Sequence, residues 1–267
     1  MGTASTRMKK RGGSGLVVFG RRAVLEALAE PGLEVERIVA ARDGSASLRK
    51  ELAAAARARG LQLELLPAQE VHALSGERRH DQGVAAALRL TRLVDVEIFV
   101  AERKGRGARR PVRLLALDGI TNPQNVGMIV RSAVAAGLDG LLWPRIGSPW
   151  VSGLVVKASA SALYRCPIVR CDTLVEGLQV LKGGGFDLVG LAGDAGRSLF
   201  DFELPHRVAF VVGGETRGLS RETDALLDAR LGIPMRGGVE SLNVAVAASL
   251  VCYRVAGMIR GEEPSTG

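Results

Sequence analysis

The chain has 267 residues, 47% of them hydrophobic, enough for one large core or two of ordinary size. Ten aromatic residues are too few for an extended base-stacking platform, and no apolar run reaches the length of a membrane span. The net charge of +8 is concentrated: residues 1–22 hold six basic groups and no acid, residues 101–113 hold six against Glu102, and the remainder is net acidic.

The basic, polar N-terminus has no apolar signal core, so a cytoplasmic protein is expected. Cys166, Cys171 and Cys252 are odd in number and not at ligand spacing, and His72, His80 and His206 are scattered. Neither a disulfide framework nor a metal site is expected, and the cysteines read as buried thiols. The two basic stretches contain glycine and read as mobile segments that attract phosphate backbones by a salt-dependent, sequence-independent term. A tail that only aids solubility is the alternative.

In chain order, residues 16–19 read as a strand, 22–29 as a short helix stopped by Pro31-Gly32, and 35–40 as the next strand. A helix follows from an N-cap at Ser47 to Gly60, then a strand over 61–66, a short helix over 68–74 and a strand over 83–88. This alternation predicts a small α/β domain over residues 15–95, after a basic tail over 1–14. Glu77, Arg78, Arg79, His80 and Asp81 cluster in a loop that reads as a solvated turn. Charge and glycine then predict a basic linker over 96–112, a larger domain over 113–262 and a short tail to 267.

That domain opens with a strand at 113–118 and the loop Gly119-Ile120-Thr121-Asn122-Pro123-Gln124-Asn125. Val126, Ile129, Val130, Ala133, Val134 and Gly137 fall on one face of a helix, and Arg131 points away from that face. Taken singly, Asn125 reads as a helix cap and Arg131 as a solvated arginine. Strands over 138–144, 166–170, 186–191, 208–212 and 231–233 predict a largely parallel sheet. No Gly-Lys dipeptide and no Gly-x-Gly-x-x-Gly after a strand is present, so ordinary nucleotide fingerprints are absent.

Two further stretches stand out. An apolar strand runs into Gly213-Gly214-Glu215-Thr216-Arg217-Gly218-Leu219, where glycines let backbone amides approach a ligand, or simply turn the chain from strand to helix. Near the end, Ile233-Pro234-Met235 leads through two glycines to Glu240-Ser241-Leu242-Asn243 and a run of small apolar residues. Three polar groups beside an apolar helix cap it or face a ligand, since burying one without a partner costs a few kcal/mol.

Together these stretches resemble the SpoU, or TrmH, family of the SPOUT class of S-adenosylmethionine-dependent RNA 2'-O-ribose methyltransferases. Asn122 to Gly127 with Arg131 is similar to the family's first motif, Gly213-Gly214-Glu215 with Gly218-Leu219 to the second, and Ile233-Pro234-Met235 through Asn243-Val244 to the third. Phe19-Gly20-Arg21-Arg22 and His80-Asp81-Gln82-Gly83 resemble the substrate-binding domain of the branch that modifies large-subunit rRNA, with Asp81 inserted. Gly214, where many relatives carry Asn, Ala or Ser, and Lys157 to Ser161 depart from the family pattern.

The resemblance implies an L30e-like α/β domain, then a parallel α/β domain with a deep trefoil knot, assembled as a homodimer. It implies that Gly213, Gly214, Gly218, Ile233, Met235 and Leu242 hold S-adenosylmethionine, and that Arg131, Asn125, Glu215, Ser241 and Asn243 serve the chemistry. The RNA would meet Lys9, Lys10 and Arg11 of the tail and Arg103, Lys104, Arg106, Arg109 and Arg110 of the linker. A guanosine in the peptidyl-transferase region of 23S rRNA is the implied substrate. A tRNA or resistance-type rRNA 2'-O-methyltransferase and a non-catalytic ribosome-associated module are the alternatives.

Overall fold

A computed structural model describes residues 15–104, 110–149, 151–215 and 217–258, with the Lys104 side chain left aside. The chain divides into two compact units, one formed by residues up to Thr91 with Val151–Val156, the other by Arg92–Trp150 and Lys157 onward.

The first unit comprises β1 (Gly15–Phe19), α1 (Arg21–Ala29), β2 (Glu34–Ala41), α2 (Ala46–Ala58), β3 (Leu63–Leu66), α3 (Ala68–Ser75) and β4 (Val84–Arg89). Its sheet has the order β1-β4-β2-β3, with β4 antiparallel to both neighbours and β2 parallel to β3. Val18, Val24, Ile38, Leu52 and Leu88 are buried in its core. Ser45, not Ser47, caps α2, its hydroxyl accepting from Leu48 N–H at 3.4 Å.

The loop that reads as a solvated turn has a buried foundation. Asp81 is fully buried and accepts hydrogen bonds from Ser75 Oγ at 2.7 Å and Gly83 N–H at 2.9 Å, with His72 Nδ1 at 2.6 Å. His80 is exposed and faces Glu77. Burial opposes ionisation of Asp81, but the bonds from His72, Gly83 and Ser75 outweigh it and hold its carboxyl below the ordinary carboxylate value. Asp81→Asn should therefore cost roughly 2–3 kcal/mol at neutral pH, read by denaturant unfolding. A depressed folded-state value means this stabilisation is present above the unfolded carboxylate's pKa and fades as pH falls through the folded one. The gap between wild type and variant should thus narrow below about pH 4.

The second unit begins with β5 (Leu93–Asp95) and α4 (Val96–Lys104), followed by β6 (Val112–Asp118), α5 (Pro123–Ala135) and β7 (Gly140–Pro144). Next come α6 (Gly153–Ala158), which begins in the first unit, a 3-10 turn (Ala162–Arg165), β8 (Ile168–Cys171), α7 (Leu174–Gly183) and β9 (Asp187–Leu191). The unit finishes with β10 (Arg207–Gly213), α8 (Arg221–Asp224), β11 (Ala229–Leu231) and α9 (Val244–Val255). Its seven strands are all parallel, in the order β11-β9-β10-β6-β7-β8-β5. Both faces are covered, which is why β6 and β10 read as nearly continuous apolar runs with almost every residue buried.

The predicted linker over 96–112 is corrected, because Val96–Lys104 is helical. Val96, Phe99 and Val100, at i, i+3 and i+4, are buried among Leu114, Leu178 and Phe186. The charges of this stretch obscured a short apolar stripe, and the division falls between Thr91 and Arg92 rather than at 95. The cysteine reading holds: all three are free and buried, and burial pushes each thiol up to about 12.

Candidate functional site

The strand order reverses at β6 and β10. From β6 the chain passes through α5 to β7 on one side, and from β10 through α8 to β11 on the other. Open parallel sheets bind ligands in the crevice at the carboxyl ends of strands at such a point. Here Asp118 pairs in register with Gly213 at those ends.

The loop after β10 is closed on itself. A Cβ on Gly213 would lie 2.2 Å from the Gly218 carbonyl carbon, and one on Gly214 would lie 2.8 Å from Gly119 O. Both glycines thus serve close approach of the chain to its own backbone, where the sequence had offered approach to a ligand. Gly214 in place of a larger residue follows from the same contact. Asp118, which sequence reasoning passed over, accepts from Ser220 N–H at 2.7 Å and ties this loop to the end of β6. Its only signal was an acid closing an apolar strand immediately before a glycine.

At the start of α5 the cap is Asn122, whose side chain accepts from Gln124 N–H at 2.9 Å with Pro123 in the first turn. This corrects the reading of Asn125 as the cap. Asn125 lies one turn in, 4% exposed, and its amide donates to Glu215 Oε1 at 2.8 Å. Asn243 Nδ2 donates to the same Glu215 oxygen at 2.5 Å and approaches Asn125 Oδ1 at 3.3 Å. Asn243 Oδ1 meanwhile accepts from Ala245 N–H and caps α9, so this one side chain both caps the helix and joins the cluster. One oxygen of Glu215 gathers two amides, while its Oε2 has no protein partner among the described residues.

Below the cluster α5 and α9 pack together. Ser249 donates to Ala245 O, and its oxygen lies 2.7 Å from Ser132 Oγ, joining the two helices. Gly127 lets the end of α6 approach, since a Cβ there would stand 2.3 Å from that of Ala158. Just beyond, in the stretch that departs from the family pattern, Ala160 and Ser161 take left-handed φ values of 48° and 61°. Glycine adopts that conformation without the steric cost a side chain brings.

The other expected site residues are placed differently. Arg131 is exposed on the far side of α5 from the core, and Ser241 is exposed before α9. Neither side chain has a hydrogen-bond or ion-pair partner among the described residues, and neither is hydrogen-bonded to the Asn125–Glu215–Asn243 cluster. Ile233 and Met235 are half-buried, Leu242 is 37% exposed, and Gly218 is exposed in the closed loop. Ile233 follows β11 rather than ending it.

Of the expected RNA contacts, Lys9, Lys10, Arg11, Arg106 and Arg109 lie outside the described residues, as does the Lys104 side chain. Arg103 is drawn in: its guanidinium sits 3.5 Å from the Phe99 ring centroid and donates to Phe99 O. Arg110 is exposed and paired with Asp139.

Comparison with known proteins follows the same division. Residues 113–253 match the SpoU rRNA Methylase family, and residues 17–92 match the domain described as RNA 2'-O ribose methyltransferase substrate binding. The 23S rRNA (guanosine-2'-O-)-methyltransferase RlmB of Xylella fastidiosa is 33% identical over 239 residues, covering 88% of this chain and 94% of that protein. Its counterpart in Xanthomonas campestris is 38% identical over 206 residues, or 76% and 80% of the two chains. Among solved structures, the SpoU methyltransferase AviRb of Streptomyces viridochromogenes, in complex with AdoMet, shares the fold with a TM-score of 0.68. That likeness is at 24% identity and covers 91% of this chain and 90% of the other.

Proposed function

Because the chain belongs to the SpoU rRNA methylase family, we propose that it transfers a methyl group from S-adenosylmethionine to a ribose 2'-oxygen of 23S rRNA, at a guanosine. The observation that carries this reading is the meeting of three distant stretches in the Asn125–Glu215–Asn243 cluster, at the carboxyl ends of the central strands. Binding RNA alone has no need of such a cluster. The relatives named as 23S rRNA guanosine methyltransferases support the substrate, which in turn implies action in the cytoplasm.

The residues after β11 fit the cofactor. Ile233, Met235 and Leu242 offer apolar surface, and apart from a turn at Gly237–Gly238 the main chain of residues 233–242 belongs to no helix or strand. Apolar side chains beside main chain that lies outside any helix or strand suit an adenosine. Gly213, Gly214 and Gly218 would shape the adjoining wall. When bound, the cofactor supplies a methyl already activated on a positively charged sulfur.

This chain's own task is to align the 2'-oxygen and stabilise the negative charge that develops on it. We assign that charge to Arg131, whose exposed guanidinium is free to meet a ribose oxygen or its phosphate. A guanidinium carries a delocalised positive charge and five donors with no acceptor, which makes it an electrostatic partner rather than a base. Glu215, held by two amides, together with Ser241 and Asn243 would orient the ribose. The proposal includes a homodimer, supported by apolar Met128 on α5 and Val246 on α9, exposed by 43% and 50%. It includes a trefoil knot, supported by α9 lying against α5 while Arg254 donates to Phe200 O and Phe202 O of the segment before β10.

Ribose-methylation mapping of 23S rRNA and tRNA from cells with and without the gene tests the reading. One 23S guanosine should lose its 2'-O-methyl on deletion and regain it with the wild-type gene. A methyl lost from tRNA instead would move the substrate, and no loss anywhere would favour a binding module.

A further inference from the structure

The first unit carries a groove that the proposed chemistry does not use. It runs between α2 and β3, the strand at the free edge of the four-stranded sheet. Arg49, Ala53 and Arg57, at i, i+4 and i+8, form one wall with Lys50 beside them, and Leu63 and Leu65 on alternate positions of β3 form the other. Alanine between the basic side chains leaves the floor open.

No acidic residue lines the groove. The nearest acids in sequence are engaged elsewhere, Glu51 with Arg21 and Glu64 with Arg37. Lys50 and Arg57 are exposed and have no side-chain partner among the described residues. Arg49 donates to the Arg42 carbonyl, and Arg42 Nε donates to Leu65 O at 2.9 Å, so two further guanidinium groups are fixed where α2 begins. A run of cations along an open groove, with no acid among them, is complementary to a polyanion. The leucine wall offers apolar surface to the riboses and bases of a strand whose phosphates face the arginines.

We propose that this groove binds the phosphodiester backbone of the substrate RNA. The proposal rests on the RNA-methyltransferase reading for the identity of the polyanion and adds the face of the first unit that receives it.

The test compares the full chain with the triple variant Arg49→Gln, Lys50→Gln, Arg57→Gln, binding an unmodified 23S rRNA transcript across a salt series. Losing three phosphate contacts should lower the slope of log affinity against log salt by about 2–3 and weaken binding roughly tenfold or more at moderate salt. Arg57→Gln alone should lower the slope by about 0.7–0.9, and Arg57→Lys should restore it. The single variants carry the test if the triple one melts lower than wild type. Unchanged affinity and slope in every variant would overturn the proposal. So would retained affinity for the bare transcript with lost binding to ribosomal particles, which would give the groove to an acidic protein. The enzymatic reading fails separately: a wild type that binds the transcript and transfers no methyl, with the variant slope still lowered, would sink that reading and leave the groove assignment standing.

Discussion

Arg131→Ala is expected to lower kcat for methyl transfer by about 10²–10³, the usual size of losing one donor that faces developing charge. Its melting temperature should match wild type, because an exposed side chain without a partner contributes within about 0.5 kcal/mol to stability. Cofactor affinity should also hold. Arg131→Lys keeps the charge and loses the planar two-pronged donor, so it should recover only part of the rate. Single-turnover transfer of a labelled methyl to the RNA reads all of these, and near-wild-type rates in the lysine variant would remove Arg131 from the assigned role.

Glu215→Ala should act on stability and rate together. Its Oε1 accepts from both Asn125 and Asn243, and Asn125 is almost fully buried. Removing that acceptor leaves a buried amide unpaired, at a cost of about 1–3 kcal/mol. Glu215→Gln retains a carbonyl oxygen for the two amides and should regain most of the lost stability. Thermal unfolding of the two variants separates an acceptor from a charge: equal losses in both would mean that the carboxylate's charge, and not its acceptor oxygen, holds the cluster.

These two residues differ in how far their surroundings could be foreseen. Arg131 was legible in part, since the apolar stripe of α5 dictates that position 131 points outward, and the structure leaves it exposed there. For Glu215 nothing in the sequence indicated which groups its carboxylate would meet. Asn125 and Asn243 lie 90 and 28 residues away along the chain. Asn122 and Asn125 are both reasonable N-caps by composition, and only the observed bond to Gln124 N–H assigns the cap to Asn122 and leaves Asn125 for Glu215.

Charge misled where it masked packing. Glu102, Arg103 and Lys104 made residues 96–112 look like a linker, yet three apolar residues at helical spacing bury α4 in the second core, and Arg103 folds onto Phe99. The acids around the first unit's basic residues carried no visible pattern in sequence. Pairing Arg21 with Glu51 and Arg37 with Glu64 across elements is what leaves the α2 groove positive.

The sequence by itself determined most of the strands, the outward position of Arg131 on α5 and the three polar-bearing turns, because hydrophobic period and turn chemistry are local properties of a chain. Tertiary structure alone decided which residues those turns bring together. Parallel pairing of β6 with β10 brings Asp118 beside Gly213, the glycines let the loop close on its own backbone, and the packing of α9 on α5 carries Asn243 to Asn125 and Glu215. Such meetings depend on strand order and on contacts between distant residues, which no local window of sequence encodes.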